Sequence, residues 1–159
     1  TILMGACFSV YSFNAAPAKL FLGDSGSQLI GVLLASLSIV YTPPGLPQAS
    51  SWFVPIMLLG VPIFDTSLVT ISRLRRGLPV FQGRRDHTYH RLVSLGFEPA
   101  RAVLTMHLCA GLLSCVAFIA LEMPPLLANL IFAASLIIGI ISLLYLEYQQ
   151  DSRTGDLRY

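Results

Sequence analysis

The chain has 159 residues, of which 55% are hydrophobic and only 11% are charged, and its formal net charge is +2. Soluble domains average about 25% charged residues, so this composition excludes an ordinary soluble domain and indicates an integral membrane protein. No nucleic-acid partner is expected. The three cysteines, Cys7, Cys109 and Cys115, lie in apolar segments and are predicted to be small buried hydrophobic residues. Because the chain starts at Thr1 without a signal-peptide pattern, we expect it to be part of a longer protein.

Five apolar segments are long enough, or nearly long enough, to cross a membrane as helices, which takes about 20 residues. In chain order, the predicted spans are about residues 1–16, 27–41, 52–71, 102–123 and 126–148. Two proline-containing connections and a longer loop, which covers about residues 72–101, separate the last four of them. The sequence therefore predicts an all-α fold: a polytopic membrane helix bundle with about five transmembrane helices, forming part of one domain over residues 1–159.

The basic residues are distributed unequally between the two sides of this predicted bundle. If five spans alternate direction, one side contains all ten lysines and arginines: Lys19, Arg73, Arg75, Arg76, Arg84, Arg85, Arg91, Arg101, Arg153 and Arg158. The positive-inside rule predicts that this side faces the cytoplasm. A wrong span count would scatter these charges over both sides, so the asymmetry supports the count as well as the orientation.

The first polar segment is FLGDSGS, in which Asp24 follows Gly23 just before a predicted helix at the cytoplasmic interface. One interpretation is a helix N-cap, in which the side chain accepts hydrogen bonds from free backbone N–H groups. The other is a ligand site, because glycines let a ligand approach the backbone and a carboxylate can hold Mg²⁺ together with substrate phosphates. The local pattern leaves both open.

Asp65 lies eight residues before Arg73, so roughly 12 Å below the interface if the segment is helical. An ionisable residue at that depth is costly and usually functional. Pro62 is predicted to weaken the helix nearby and to free carbonyl groups towards a polar pocket. The alternative is a structural aspartate satisfied by Thr66, Ser67 or a neighbouring helix.

The second polar segment, RRDHTYHRL, combines His87 and His90 with arginines that include Arg85 and Arg91. Two histidines three residues apart would share one face of a helix. A transition-metal pair is disfavoured, because the surrounding guanidinium groups repel cations and attract phosphates. Arginines can bind phosphate oxygens with two parallel hydrogen bonds, and histidines can add further donors. The alternative is a loop that only docks on anionic lipid headgroups.

Two further polar residues are ambiguous. His107, within the fourth predicted span, is more typical of a packing residue than of a functional one. Asn14 could cap a helix end or hydrogen-bond a ligand.

Three segments, in this order and spacing, resemble the C-terminal half of the polyprenyl-phosphate N-acetylhexosamine-1-phosphate transferase family, which belongs to glycosyltransferase family 4. They are Asn14–Gly31 (NAAPAKLFLGDSGSQLIG), Pro62–Arg76 (PIFDTSLVTISRLRR) and Asp86–Leu92 (DHTYHRL). The likeness extends from the first span to about Leu95, and the last two spans are generic.

The resemblance implies a multi-pass enzyme of the bacterial inner membrane with a cytoplasmic active site. Such an enzyme would move a sugar 1-phosphate from a UDP-amino sugar, here expected to be UDP-N-acetylglucosamine, to a polyprenyl phosphate such as undecaprenyl phosphate and release UMP. This would be the first membrane step of a cell-envelope polysaccharide, such as lipopolysaccharide or teichoic acid. The implied cofactor is Mg²⁺, with Mn²⁺ as an alternative, and a homodimer is compatible with the family.

The resemblance also assigns roles to residues. Asp24 matches the metal-binding and catalytic aspartate, and His87 and His90 match the catalytic histidine-rich loop. The candidates for binding substrate phosphates are Arg85, Arg91, Ser25, Asp65 and Asn14.

Two departures from the family pattern limit these expectations. The loop of many members reads His-x-His-His-Arg, whereas Tyr89 replaces the middle histidine here. The aspartate-rich motifs that lie upstream in the family are not in this sequence, so the chain alone is expected to be inactive. The UDP-N-acetylmuramoyl-pentapeptide branch stays an alternative for the substrate. A membrane transporter segment is a second alternative, since an intramembrane aspartate and broken helices also suit a transport path.

Overall fold

The computed structural model describes residues 2–14, 23–40, 45, 51–79 and 86–156, and every regular element in these ranges is an α-helix, as predicted. The helices are α1 (Ile2–Asn14), α2 (Gly23–Val40), α3 (Val54–Leu58), α4 (Gly60–Arg75), α5 (Thr88–Ser94), α6 (Pro99–Leu121) and α7 (Pro125–Asp156). The chain divides into two compact units: Thr1–Thr42, which contains α1 and α2, and Pro43–Tyr159, which contains α3 to α7.

Two of the described helices are long and apolar enough to cross a membrane. They are Pro99–Leu121, with 23 residues, and Pro125–Gln150, with 26. Both exceed the roughly 20 residues that a hydrocarbon core requires. They correspond to the predicted spans at 102–123 and 126–148. Each begins with a proline, which suits a first helical position because its missing N–H would have no partner there.

The other three predicted spans are not confirmed. The segment predicted as one span at 52–71 is two helices, because α3 ends at Leu58 and α4 begins at Gly60. The cause lies further along the chain, at Pro62, whose ring crowds the carbonyl of the residue four positions earlier, which is Leu58. Pro62 therefore interrupts the helix before its own position, between Leu58 and Gly60, and Pro62 itself lies in the first turn of α4. The carbonyl that Pro62 leaves without its helical donor is that of Leu58, and its place in a polar pocket stays a prediction.

The core of the second unit is formed where α3 packs against the hairpin of α6 and α7. The hairpin turn is short, which makes its two helices antiparallel neighbours. The buried cluster consists of Phe53, Val54, Met57, Ala117, Ala120 and Ala128. Its alanines let helix backbones approach closely, as small residues do in membrane bundles. Phe53 stacks on Phe132 with ring centroids 5.2 Å apart, and Trp52 Nε1 donates to Asn129 Oδ1 at 3.0 Å.

Helices α4 and α5 both end at a glycine in the left-handed conformation. Gly77 has φ +64° and Gly96 has φ +99°. Each closes a Schellman motif, in which two backbone N–H groups beyond the helix bond to carbonyls of its last turn. These bonds are Gly77 N to Leu74 O, Leu78 N to Arg73 O, Gly96 N to Val93 O and Phe97 N to Leu92 O. The two glycines therefore fix where the helices that carry the site stop.

Two details of the sequence interpretation are wrong. The predicted loop at 72–101 contains helix α5, and its two ends belong to α4 and α6. The predicted burial of the cysteines is also wrong, because Cys7, Cys109 and Cys115 are exposed on the helix surfaces of this chain. An apolar helix in a membrane protein turns one face to lipid or to other helices, so apolar surroundings in sequence do not imply burial.

Candidate functional site

The centre of the candidate site is a contact between α4 and the start of α5. Asp65 Oδ2 lies 2.8 Å from His87 Nδ1, and Asp65 Oδ1 accepts the backbone N–H of Thr88 at 2.6 Å. The side chain of Asp65 is 22% exposed and that of His87 is 55% exposed. The carboxylate thus holds the imidazole from the protein side while much of the ring stays accessible.

This contact also explains how a helix as short as α5 begins. Its N-cap residue is His87, in an extended conformation, and the His87 side chain makes no capping hydrogen bond. Asp65 supplies the missing acceptor from another helix, 22 residues earlier in the chain. A carboxylate at this place satisfies a free N–H and complements the positive end of the helix dipole. Asp65 is satisfied by a neighbouring helix and its cap residue, rather than by Thr66 or Ser67.

His90 occupies a different environment from His87. The two histidines were expected to share a helix face, but His87 precedes α5 whereas His90 is its third residue. His90 is half-buried, and its ring contacts that of Tyr89 edge to face, with centroids 5.0 Å apart. Tyr89, which replaces a histidine of the expected motif, therefore packs against the neighbouring imidazole.

Arg91 is buried rather than presented at the surface, with 3% of the residue exposed. Its Nη1 forms an ion pair with Glu147 Oε1 at 2.5 Å and donates to the Leu146 carbonyl at 3.5 Å. Its Nε donates to the Asp86 carbonyl at 3.3 Å. The guanidinium therefore links α5 to the last turns of α7 and to the residue just before His87.

Glu147 is a residue that the sequence interpretation missed. It is 1% exposed, and its second carboxylate oxygen lies 3.3 Å from Arg75 Nη1. An acidic residue one position before the end of the predicted span at 126–148 was the available signal. It was overlooked because the last two spans showed no family motif.

A second ion pair holds the segment between α4 and α5. Arg73 Nε donates to Asp86 Oδ2 at 3.3 Å, and Arg73 is 5% exposed. Together with the pair of Arg75 and Glu147, this contact shows that two of the arginines at the end of α4 bind within the protein.

In the first unit, Asp24 and Ser25 are exposed residues in the first turn of α2. The helix begins one residue earlier, at Gly23, whose φ of +68° requires the left-handed conformation that glycine adopts easily. Asp24 therefore lies inside the first turn rather than before it. The side chain of Asn14, at the end of α1, and the whole of Arg85 lie outside the described residues.

His107 lies on the exposed face of α6 with its Nδ1 2.8 Å from the Val103 carbonyl. One ring nitrogen is thus satisfied within its own helix.

Comparisons with known proteins agree with the sequence motifs. Residues 1–42 match the model of the family described as Glycosyl transferase family 4. The chain is 31% identical over 121 residues to a Bacillus subtilis protein named probable undecaprenyl-phosphate N-acetylglucosaminyl 1-phosphate transferase, covering 74% of this chain and 33% of that protein. No solved structure matches the chain.

Two other relatives have similar names. One is the decaprenyl-phosphate N-acetylglucosaminephosphotransferase of Mycobacterium tuberculosis, 32% identical over 71% of this chain and 30% of that protein. The other is the undecaprenyl-phosphate alpha-N-acetylglucosaminyl 1-phosphate transferase of Escherichia coli, 29% identical over 64% of this chain and 28% of that protein. The chain spans about a third of the length of these relatives. By its family match and these relatives, the chain belongs to glycosyl transferase family 4.

Proposed function

We propose that the protein containing this chain transfers N-acetylglucosamine 1-phosphate from a UDP-sugar to a polyprenyl phosphate and releases UMP. The names of the relatives support the acceptor lipid and the transferred group. The observation that carries the proposal is the contact of Asp65 with His87, which fixes an accessible imidazole beside an arginine-rich helix end. Such an arrangement suits binding of phosphate rather than of a neutral sugar alone.

The proposed role of His87 follows from its carboxylate partner. When both ring nitrogens carry hydrogen, Asp65 accepts the hydrogen bond from Nδ1–H, and Nε2–H can donate a hydrogen bond to a phosphate oxygen. Asp65 therefore acts by orienting His87. Direct contact of its carboxylate with a phosphate is unfavourable, because both groups are negatively charged. His90 would add a second imidazole from the first turn of α5.

The chemistry is displacement at phosphorus. An oxygen of the lipid phosphate attacks the sugar-linked phosphorus, and the bond from that phosphorus to the bridging oxygen breaks. The bridging oxygen leaves with the bonding electrons as part of UMP, and the lipid keeps the sugar on a new diphosphate. Positioning and stabilisation of the developing negative charge supply most of the acceleration in such reactions. His87 and His90 are proposed to provide that stabilisation on the protein side.

Asp24 is the proposed metal ligand. Its carboxylate is exposed in the first turn of α2, next to a glycine that leaves the backbone open to a ligand. One carboxylate completed by substrate phosphate oxygens is a typical set for Mg²⁺, so the donor type fits. When bound, Mg²⁺ would neutralise charge on the diphosphate. Ser25, exposed beside Asp24, could donate its hydroxyl hydrogen to the same diphosphate.

The proposed location is the cytoplasmic face of the bacterial inner membrane. Arg73 and Arg75 end α4, Arg91 lies in α5, and Arg101 is in the first turn of α6, so the described arginines share one end of the second unit. Excess arginine marks the cytoplasmic side of membrane proteins. A nucleotide-linked donor from the cytoplasm and a lipid-held acceptor would meet at such an end.

The proposal is tested with Asp24→Asn in the full-length protein, reconstituted with polyprenyl phosphate and UDP-N-acetylglucosamine. We expect Mg²⁺-dependent UMP release to fall by roughly 10²-fold or more, because an amide cannot replace the carboxylate charge. Glu122→Gln, the same exchange at the exposed residue after α6, is the control and should keep its activity. Turnover near normal in Asp24→Asn, or a preference for UDP-N-acetylmuramoyl-pentapeptide, would refute the assignment.

A further inference from the structure

We propose that Glu147, near the end of the last helix, is a positioning residue for the histidine segment. The histidine segment is defined as residues 86–94, which comprise Asp86, His87 and helix α5. Glu147 holds this segment through Arg91. The catalytic part of this inference rests on the proposed function, whereas the mechanical part does not.

Glu147 is buried and paired with two arginines. Its side chain is 2% exposed, and its two oxygens contact arginines from two different elements. Oε1 meets Arg91 of α5, whose side chain is 4% exposed, and Oε2 meets Arg75 at the end of α4, which is 54% exposed. A carboxylate so deeply buried near the end of an apolar helix is expensive unless it is paired, and such residues usually serve function.

The buried position of Arg91 depends on the charge of Glu147. Removing the acidic partner leaves the guanidinium buried without a compensating charge, which is much less favourable than the intact pair. Arg91 would then move towards water. Because its other described contacts are to the carbonyls of Asp86 and Leu146, this movement would break the contacts that fix the start of the segment.

Helix α5 is short. It has seven residues, and the Arg91 N–H bonds to the His87 carbonyl at 3.2 Å. A helix of two turns has little stability of its own and depends on outside contacts. Asp65 of α4 holds its start, and Glu147 of α7 holds its middle. A displacement at Arg91 would therefore reach His87 and His90.

The experiment uses the full-length protein in lipid nanodiscs, with Glu147→Gln as the main variant. Glu98→Gln is the matched control, because Glu98 makes an exposed ion pair with Arg101 at 3.6 Å. The first measurement is hydrogen exchange of the amides in Thr88–Ser94, which does not depend on activity. We expect exchange there to rise about tenfold in Glu147→Gln, with no change in α6 and no change in the control.

The second measurement separates kcat and KM for the two substrates. We expect kcat/KM for the UDP-sugar to fall about tenfold or more, because small displacements of positioning groups are costly, while KM for the lipid phosphate stays unchanged. Glu147→Asp, which keeps the charge, should recover part of this loss. The effects of Glu147→Gln and Arg91→Gln should not add in the double variant, because both remove the same contact.

The two measurements test two separate roles of Glu147, anchoring of the histidine segment and positioning of its histidines. Unchanged exchange in Thr88–Ser94 overturns the anchoring role, and raised exchange with unchanged donor kinetics overturns the positioning role. If Glu147→Gln does not fold, Arg91→Lys keeps the charge pair but loses the Nε contact, and the same two measurements apply to it. If the unsubstituted protein releases no UMP, the proposed function fails, and the exchange measurement still decides whether Glu147 anchors the segment.

Discussion

Replacing Asp65 tests whether one carboxylate both begins α5 and orients His87. In Asp65→Ala the Thr88 N–H loses its acceptor, which lies at 2.6 Å in the structure. A hydrogen bond to a charged group contributes about 1.5–3 kcal/mol. Since Asp65 is mostly buried, we take about 2 kcal/mol for this bond and assign no energy to the more exposed contact with His87. This loss corresponds to a roughly thirtyfold increase in local opening at the start of α5.

Asp65→Asn separates the structural role from the electrostatic one. The amide oxygen can still accept the Thr88 N–H, so hydrogen exchange in α5 should change by no more than about threefold. The amide nitrogen, however, would donate to His87 Nδ1, so the ring would carry hydrogen only on Nε2 and have no charge. Nε2 could still donate a hydrogen bond, but the ring would no longer offset the negative charge of the phosphate. We expect turnover to fall by roughly 10²-fold or more, as in other sites where a carboxylate sets the state of a catalytic histidine.

The assay is hydrogen exchange of the peptide covering Thr88–Ser94, combined with UMP release, in the full-length protein. Thr70→Val is the control five residues further along α4, because the Thr70 hydroxyl bonds to the Thr66 carbonyl of its own helix, at 2.8 Å. The reasoning is refuted if Asp65→Ala leaves exchange at the start of α5 unchanged. It is equally refuted if Asp65→Asn retains full turnover, because the orientation of His87 would then not depend on the carboxylate.

The remaining predictions concern the two histidine environments and the glycine that ends α5. His87→Ala should lower kcat/KM for the UDP-sugar by about 10²-fold, whereas His107→Ala should keep it within about twofold, because the His107 ring bonds within its own helix; equal losses in the two variants would contradict the site. Gly96→Ala should lower the free energy of unfolding by roughly 1–2 kcal/mol in a denaturant titration, because a Cβ is strained at φ +99°. Gly111→Ala, at a helical glycine with open space around it, should instead be neutral or stabilising.

The parts of the fold that could be predicted are those decided by local composition. The spans at 102–123 and 126–148 agree with α6 and α7 to within three residues at three of the four helix ends, because long apolar runs are bounded there by prolines. The last helix continues to Asp156, where its sequence turns polar and no proline ends it. Local composition thus fixes these helix ends well where a proline lies beside them and poorly at the end of α7, where none does.

The break between α3 and α4 lies earlier in the chain than the sequence pattern predicted. Pro62 was identified as the cause of a weak helix, but its steric effect acts four residues earlier, at Leu58. The ends of α4 and α5 could have been predicted, since Gly77 follows a run of basic residues and Gly96 follows a short polar helix. Both glycines are signals of a helix C-terminus, which the hydrophobicity of the predicted spans does not show.

The start of α5 could not have been predicted from its own sequence. His87 is a poor cap, and nothing within the segment replaces it. The acceptor is Asp65, which arrives only because α4 and α5 pack together. The sequence could identify Asp65 and His87 as candidates separately, but only the fold brings them within 2.8 Å of each other.

Packing between helices also decides how much positive charge the arginines of this region present to a ligand. Their number in the sequence indicates a strongly positive loop that attracts phosphates. In the structure, however, Arg73 pairs with Asp86, while Arg75 and Arg91 share Glu147. Paired guanidinium groups add little to the field that an incoming anion experiences, because each acid cancels charge at short range. Phosphate affinity at this end therefore depends less on how many arginines the sequence contains than on which hydrogen-bond donors the acids of α4 and α7 leave accessible, and His87, held at Nδ1 with 55% of its side chain exposed, is one of them.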